Sequence, residues 1–143
     1  MLTGSGLIDA ERAFVRQSRA RRRAALARRL RRQAGGHLRV YDPGSRASGS
    51  AQLPGGGIRE IRLDAIAGTL EPSRAALFDS AFRPRRAARA RWERVWLAEH
   101  RGCVLPPISV ARIGDGYVVR DGHHRVSVAR ARGALTIDAI VAA

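Results

Sequence analysis

The chain has 143 residues and 15.6 kDa, the size of one ordinary domain with an appendage. Its 27 basic residues are all arginine and face 12 acidic ones, giving a net charge of +15; 45% of residues are hydrophobic but only 5% aromatic, which excludes a wholly disordered chain and makes any core lean on Val, Ile, Leu and Ala. No apolar run is long enough for a membrane-spanning helix, Asp9 and Glu11 interrupt the N-terminus before a signal-peptide core can form, and the lone Cys103 excludes an internal disulfide or a cysteine-rich zinc site; these features predict a cytoplasmic protein.

In chain order, residues 7–34 predict a basic helix with Asp9 and Glu11 in its first turn and Gly35-Gly36 as its stop. Ala, Leu and Arg favour helix throughout it. Its apolar residues, Phe14, Val15, Leu26 and Leu30, form a stripe too thin for a core of its own, so the helix is open to nucleic acid, a membrane or solvent. Residues 41–57, YDPGSRASGSAQLPGGG, have no hydrophobic period and predict a flexible linker. The division is then an Arg-rich extension over 1–40, a linker over 41–57 and a folded domain over 58–143.

Within that domain IREIRL predicts a short strand, with Ile58, Ile61 and Leu63 in imperfect alternation. Pro72 opens a helix predicted to run through SRAALFDSAF, and Pro84 a second through RRAARARWERVWLAEHRG, stopped by Gly102 and Pro106-Pro107. Leu77, Phe78, Phe82, Trp92, Val95, Trp96 and Leu97 supply the bulk for packing, and the Trp92–Trp96 pair is read as core. ISVARI and YVVRD predict two strands joined by a hairpin at Gly114-Asp115-Gly116. A helix follows from His123 to Arg132, closed by Gly133, and TIDAIVA predicts a last strand. The fold class is mixed α+β, a small sheet packed with helices and preceded by the Arg-rich helix.

The charge points to a polyanion. A GC-rich coding sequence produces an arginine-only, alanine-rich composition, but it does not produce the excess of positive over negative charge. Arg21, Arg22, Arg23, Arg28 and Arg29 crowd the N-terminal helix, and Arg83, Arg85, Arg86, Arg89 and Arg91 form a second basic surface. No base-reading module accompanies them, so contact with nucleic acid is expected to be electrostatic, salt-dependent and largely independent of sequence.

The densest chemistry lies in YVVRDGHHRVSVARARG, residues 117–133, where a strand runs into Asp121-Gly122 and a helix begins at once with His123-His124-Arg125. Gly122 permits a sharp turn and close approach. The first amides of the helix lack intrahelical partners and sit at the positive end of its dipole. Two imidazoles and a guanidinium join them, which describes an anion site, most naturally for phosphate. Asp121 is placed to cap the helix, to hold a metal or to accept a proton. His123 and His124 point about 100° apart and do not serve one site equally. Arg125 opposes the helix dipole, so its position calls for an anion.

The run from Pro106 to Val141 resembles the ParB/sulfiredoxin superfamily, specifically the ParB N-terminal-like domain: an apolar strand, a hairpin, a glycine with a basic tripeptide opening a helix, then a glycine and a final strand. The resemblance is good over 104–142, weaker back to 58, and does not reach the N-terminal helix. It implies nucleotide phosphates at the start of this helix. Gly122 and Arg125 match the box that contacts CTP in partition proteins, while His123 and His124 depart from it. Against sulfiredoxin, Gly122, His124 and Arg125 match but His123 stands where the catalytic cysteine would, which argues against sulfinic-acid reduction. Asp-Gly-His-His-Arg, residues 121–125, is similar throughout to the free serine kinases of the superfamily, which use ADP. Pro72 and Arg74, with Ser73 intervening, approximate the partition proteins' first box, so the resemblance implies Arg74 as a nucleotide contact, while the residue by itself reads as a surface arginine.

The leading expectation is a ParB-like nucleotide-binding protein associated with DNA or with chromosome partitioning. Gly122, His123, His124, Arg125 and Arg74 would hold CTP, ATP or ADP with Mg2+. A phosphotransferase, nucleotide hydrolase or nuclease, with Asp121 and His124 as catalytic groups and Asp121 as magnesium ligand, is the alternative. A non-enzymatic module docking an acidic partner is the third.

Overall fold

A computed structural model describes residues 3–42 and 57–142, so most of the predicted linker lies outside the described residues. The elements run α1 (Thr3–Leu30), β1 (Ile58–Arg62), β2 (Ile66–Thr69), α2 (Pro72–Ala75), α3 (Arg89–His100), β3 (Ile108–Ile113), β4 (Gly116–Asp121), α4 (His123–Ala131) and β5 (Thr136–Ala142), with single 3-10 turns at Leu63–Ala65 and Arg86–Ala88. Five strands form one mixed sheet in the order β1-β5-β3-β4-β2. The β1–β5 and β3–β4 pairs are antiparallel, and the β3–β5 and β2–β4 pairs parallel. The expected mixed α+β class is the observed one.

The sheet's pleat sorts its side chains. Val110 faces Val119 across the β3–β4 pair, and both are buried. In β1 the two isoleucines have opposite parity, so Ile61 enters the core while Ile58 is 63% exposed beside Ile140. Trp92, Phe78, Ile108, Val126, Val128 and Ala139 complete the core. Trp92 also donates its indole N–H to Ser127 Oγ at 2.8 Å, pinning α3 to α4.

Three local expectations are corrected. The helix after Pro72 is one turn long instead of reaching Phe82, because buried Asp79 captures the backbone: its Oδ1 accepts the amides of Ala81 at 2.9 Å and Arg83 at 2.8 Å. Phe82 is then left-handed, with φ 60°, and its ring is fully buried. The N-terminal helix starts at Thr3 and stops before Gly35-Gly36: Arg32, with φ 53°, terminates it, and the amides of Arg32 and Gln33 fold back to the carbonyls of Arg29 and Arg28. Finally, β2 is a strand the sequence did not suggest. Its outer edge pairs with residues 39–41: Thr69 N–H donates to Arg39 O and Tyr41 N–H to Thr69 O.

Of the predicted stripe of α1, Phe14 packs on the domain while Val15, Leu26 and Leu30 are exposed, so the expected stripe is corrected to a short patch in the first half of the helix. Ala10, Ala13 and Phe14 are buried in the common core, and the Phe14 ring meets Trp92 edge-on at 5.7 Å. Leu38 is buried as well. Among the described residues no helix is long and apolar enough to cross a membrane.

Candidate functional site

β4 delivers Asp121 to one end of the sheet, and the chain turns into α4 at Gly122, whose φ is 108°. A Cβ there would lie 2.4 Å from Ile108 Cγ2, so glycine is demanded by strand β3 beneath it as well as by the turn. The ladder of α4 starts with Val126 N–H donating to Gly122 O at 3.0 Å. The amides of His123, His124 and Arg125 precede that first rung.

These amides border a cavity of about 260 Å³. Its lining brings together all five residues of the 121–125 motif and Arg74 at the end of α2. Arg91 and Val95 of α3 close it from the side, and Leu105 and Pro106 from the approach to β3. Three guanidinium groups therefore face one carboxylate.

The two imidazoles divide in role. His123 is locked: its Nε2 lies 2.6 Å from the Thr69 hydroxyl, and its ring stacks on Phe78. Thr69 Oγ1 accepts the Glu71 amide at 2.8 Å and lies 3.2 Å from Val119 O, to which it can donate. His124 is only 7% exposed, meets Phe78 edge-on at 5.2 Å and lines the cavity with no hydrogen-bond partner among the described residues. Burial, then the charges of Arg74 and His124, push His123 down to about 4; burial, then Arg91, Arg74 and Arg94, push His124 to about 4. Both rings are neutral at pH 7, and His124 offers a neutral donor and acceptor.

Arg125 has an occupation that its place in the sequence does not suggest. Its Nη1 donates to the carbonyls of Pro106 and Pro107, and its Nη2 lies 3.2 Å from Asp121 Oδ2. With its side chain 17% exposed, it clamps the chain entering β3 and satisfies its need for an anion locally. Asp121 makes no cap on α4 and is 79% exposed, held at the rim by Arg125. It is the one carboxylate in the lining, and among the described residues no group of three His, Cys, Asp or Glu side chains gathers to hold a metal. A magnesium ion arriving on phosphates needs only one or two carboxylates, and Asp121 fits that role.

Arg74 and Arg91 have no side-chain hydrogen-bond partner among the described residues and are the cations left for a ligand. The sequence assigned Arg91 to a basic surface. Its helical spacing carries a signal in hindsight: Trp92 and Trp96 point into the core, so Arg91 and Val95, one position earlier, flank that face together. Of the arginines expected to meet nucleic acid, Arg22, Arg23 and Arg29 are exposed on α1, while Arg21 and Arg28 are partly covered.

No protein-family model matches the sequence, and no curated protein matches it. Among solved structures the chain is similar to the crystal structure of sulfiredoxin from Arabidopsis thaliana, with 19% sequence identity, a TM-score of 0.45, and coverage of 60% of this chain and 84% of that one.

Proposed function

We propose that this protein binds the phosphate groups of a nucleotide at the N-terminus of α4 and associates with nucleic acid through its arginine-rich surface. The observation that carries the nucleotide reading is the convergence of Arg74, Arg91 and the unpartnered, buried His124 on the free amides of one helix. Fixed amides and two unengaged guanidiniums favour a multiply charged, oxygen-rich anion. The cavity lies near the lower edge of the roughly 300–1,000 Å³ of whole small-molecule sites, so it suits a phosphate chain whose nucleoside projects outward. Asp121, at the rim, would hold a magnesium ion carried on those phosphates, and the ion would supply charge neutralisation there. The resemblance stated above makes CTP, ATP and ADP the nucleotides to try.

Calorimetric titration of ADP, ATP, CTP and GTP with magnesium tests the reading. Wild-type binding should fall at least about tenfold in Arg91→Ala, the loss of one charge-assisted contact, with the fold retained because Arg91 is exposed. No binding of any nucleotide to folded wild type would refute it. A phosphoryl-transfer reading draws on the Asp121 carboxylate, which stands exposed at the cavity rim beside Arg125. It expects Asp121→Asn to abolish turnover while sparing binding.

A further inference from the structure

Away from the α4 cavity, the second half of α1 runs beside residues 36–38 and the approach to α3, and three guanidinium groups meet there. Arg85 Nη2 donates to Gly36 O at 2.8 Å and lies 3.5 Å from His37 Nδ1. Arg28 approaches the same glycine, its Nη2 2.9 Å from where a Gly36 Cβ would stand. Arg21 lies close enough to Arg85 for the two charges to repel, and burial together with Arg85 lowers its proton affinity. The Nε atoms of both Arg21 and Arg85 are buried without a hydrogen-bond partner.

The carboxylate whose field reaches Arg21 is Asp79, and it is already spent. Its Oδ1 accepts two backbone amides and its Oδ2 the Arg83 guanidinium at 3.3 Å, with the side chain fully buried. Guanidinium groups do not discharge by losing a proton. Among the described residues, Arg21, Arg28 and Arg85 are therefore without a carboxylate paired to them.

We propose that Arg21, Arg28 and Arg85 form a second anion site, distinct from the α4 cavity, that grips a phosphate of the backbone of a nucleic-acid duplex. The planar forks of arginine match the two free oxygens of a phosphodiester. A backbone is favoured over a lone ion because exposed Arg22, Arg23 and Arg29 continue the positive surface along the same helix. A duplex is favoured over a single strand because among the described residues no Phe, Tyr or Trp ring lies against the three guanidiniums to stack bases, and Phe14, Phe78, Phe82 and Trp92 are all in the core. The inference rests on the nucleic-acid part of the function proposed above, and adds that one built site, instead of diffuse charge, carries the contact.

The experiment is fluorescence anisotropy with a labelled DNA duplex of mixed sequence, over a series of salt concentrations, on the full chain. Arg21→Gln, Arg85→Gln and their double variant are compared with Arg22→Gln and Arg29→Gln. Each single variant removes one charge, so a diffuse field predicts equal losses. A built site predicts a loss of about tenfold for Arg21→Gln and Arg85→Gln, a lowered salt slope by about 0.9 for each lost phosphate contact, and about twofold or less for the two controls. The double variant should lose less than the product of the singles. Arg85 also holds Gly36, so Arg21→Gln, which breaks no hydrogen bond of the fold, keeps the test decisive if Arg85→Gln unfolds. Equal losses across all four singles overturn the site while leaving nucleic-acid association standing. Absence of duplex binding by wild type overturns both, and the nucleotide titration of the α4 cavity is unaffected by either result.

Discussion

Acidification should weaken this protein before its carboxylates protonate, because His123 and His124 are buried as neutral rings. In the unfolded chain each imidazole titrates near its ordinary 6.5, whereas in the fold each is held at about 4. Between those values the unfolded state binds more protons, so stability is fully present above about pH 6.5 and is lost as pH falls towards about 4. The displacement is worth about 3 kcal/mol for each ring, of which about 2 kcal/mol is already lost at pH 5. The two do not add fully, since the charge of His124 is itself one of the causes depressing His123; about 3 kcal/mol lost by pH 5 is expected for the pair. Against a total stability of about 5–15 kcal/mol, that is a large share. Urea denaturation followed by tryptophan fluorescence at a series of pH values measures it, since Trp92 is buried and bonded to α4. In His124→Gln the slope with pH should fall by about half, since one of the two titrating rings is gone. A wild-type stability that is flat between neutral pH and pH 5, or a slope that survives in the His123→Gln/His124→Gln double variant, would refute the reasoning.

Three further outcomes follow from the packing. Phe14→Ala should cost about 3–5 kcal/mol in the same urea assay, because the ring is 3% exposed between Trp92 and the Arg89 guanidinium; Leu26→Ala, on the exposed face of the same helix, should change stability by under about 0.5 kcal/mol. Gly122→Ala should destabilise by at least about 2 kcal/mol, since its Cβ would meet Ile108 at 2.4 Å on a backbone of φ 108°. Arg125→Ala should cost about 2 kcal/mol in the same urea assay, since it removes the charged donor to the carbonyls of Pro106 and Pro107. Its effect on nucleotide affinity should be smaller than that of Arg91→Ala, and an equal or larger loss in calorimetry would return Arg125 to the ligand.

Where local chemistry decides structure, the sequence is legible. The Asp-Gly hairpin joins β3 to β4, and Gly102 and Gly133 end α3 and α4 in left-handed conformations as expected. The contiguous motif at 121–125 likewise marks one end of the sheet from sequence alone. β2 escapes because Ala67 and Gly68 are poor strand formers. Gly68 has a reason that only the fold reveals: a Cβ would lie 2.2 Å from Arg39 O, on the segment that pairs beside it. Arg91 escapes because nothing within α3 says which partner its basic flank meets. The Trp92–Ser127 bond and the packing of α3 on α4 set that, and both are contacts between residues far apart in the chain.

The same distinction bears on which arginines are free to act. Arg125 is adjacent to the proposed phosphate position in sequence, yet gripping a ligand would require it to surrender two carbonyls and a carboxylate. Arg74 and Arg91 surrender nothing, so an anion gains their full contact without breaking a bond of the fold. The pattern repeats beside α1, where Arg83 is spent on Asp79 while Arg21 keeps an unmatched Nε. In a chain whose charge is carried by arginine alone, composition leaves every guanidinium a candidate for the anions proposed above. The hydrogen-bond inventory narrows the candidates to those with donors that the fold has left unused, gathered where several elements converge.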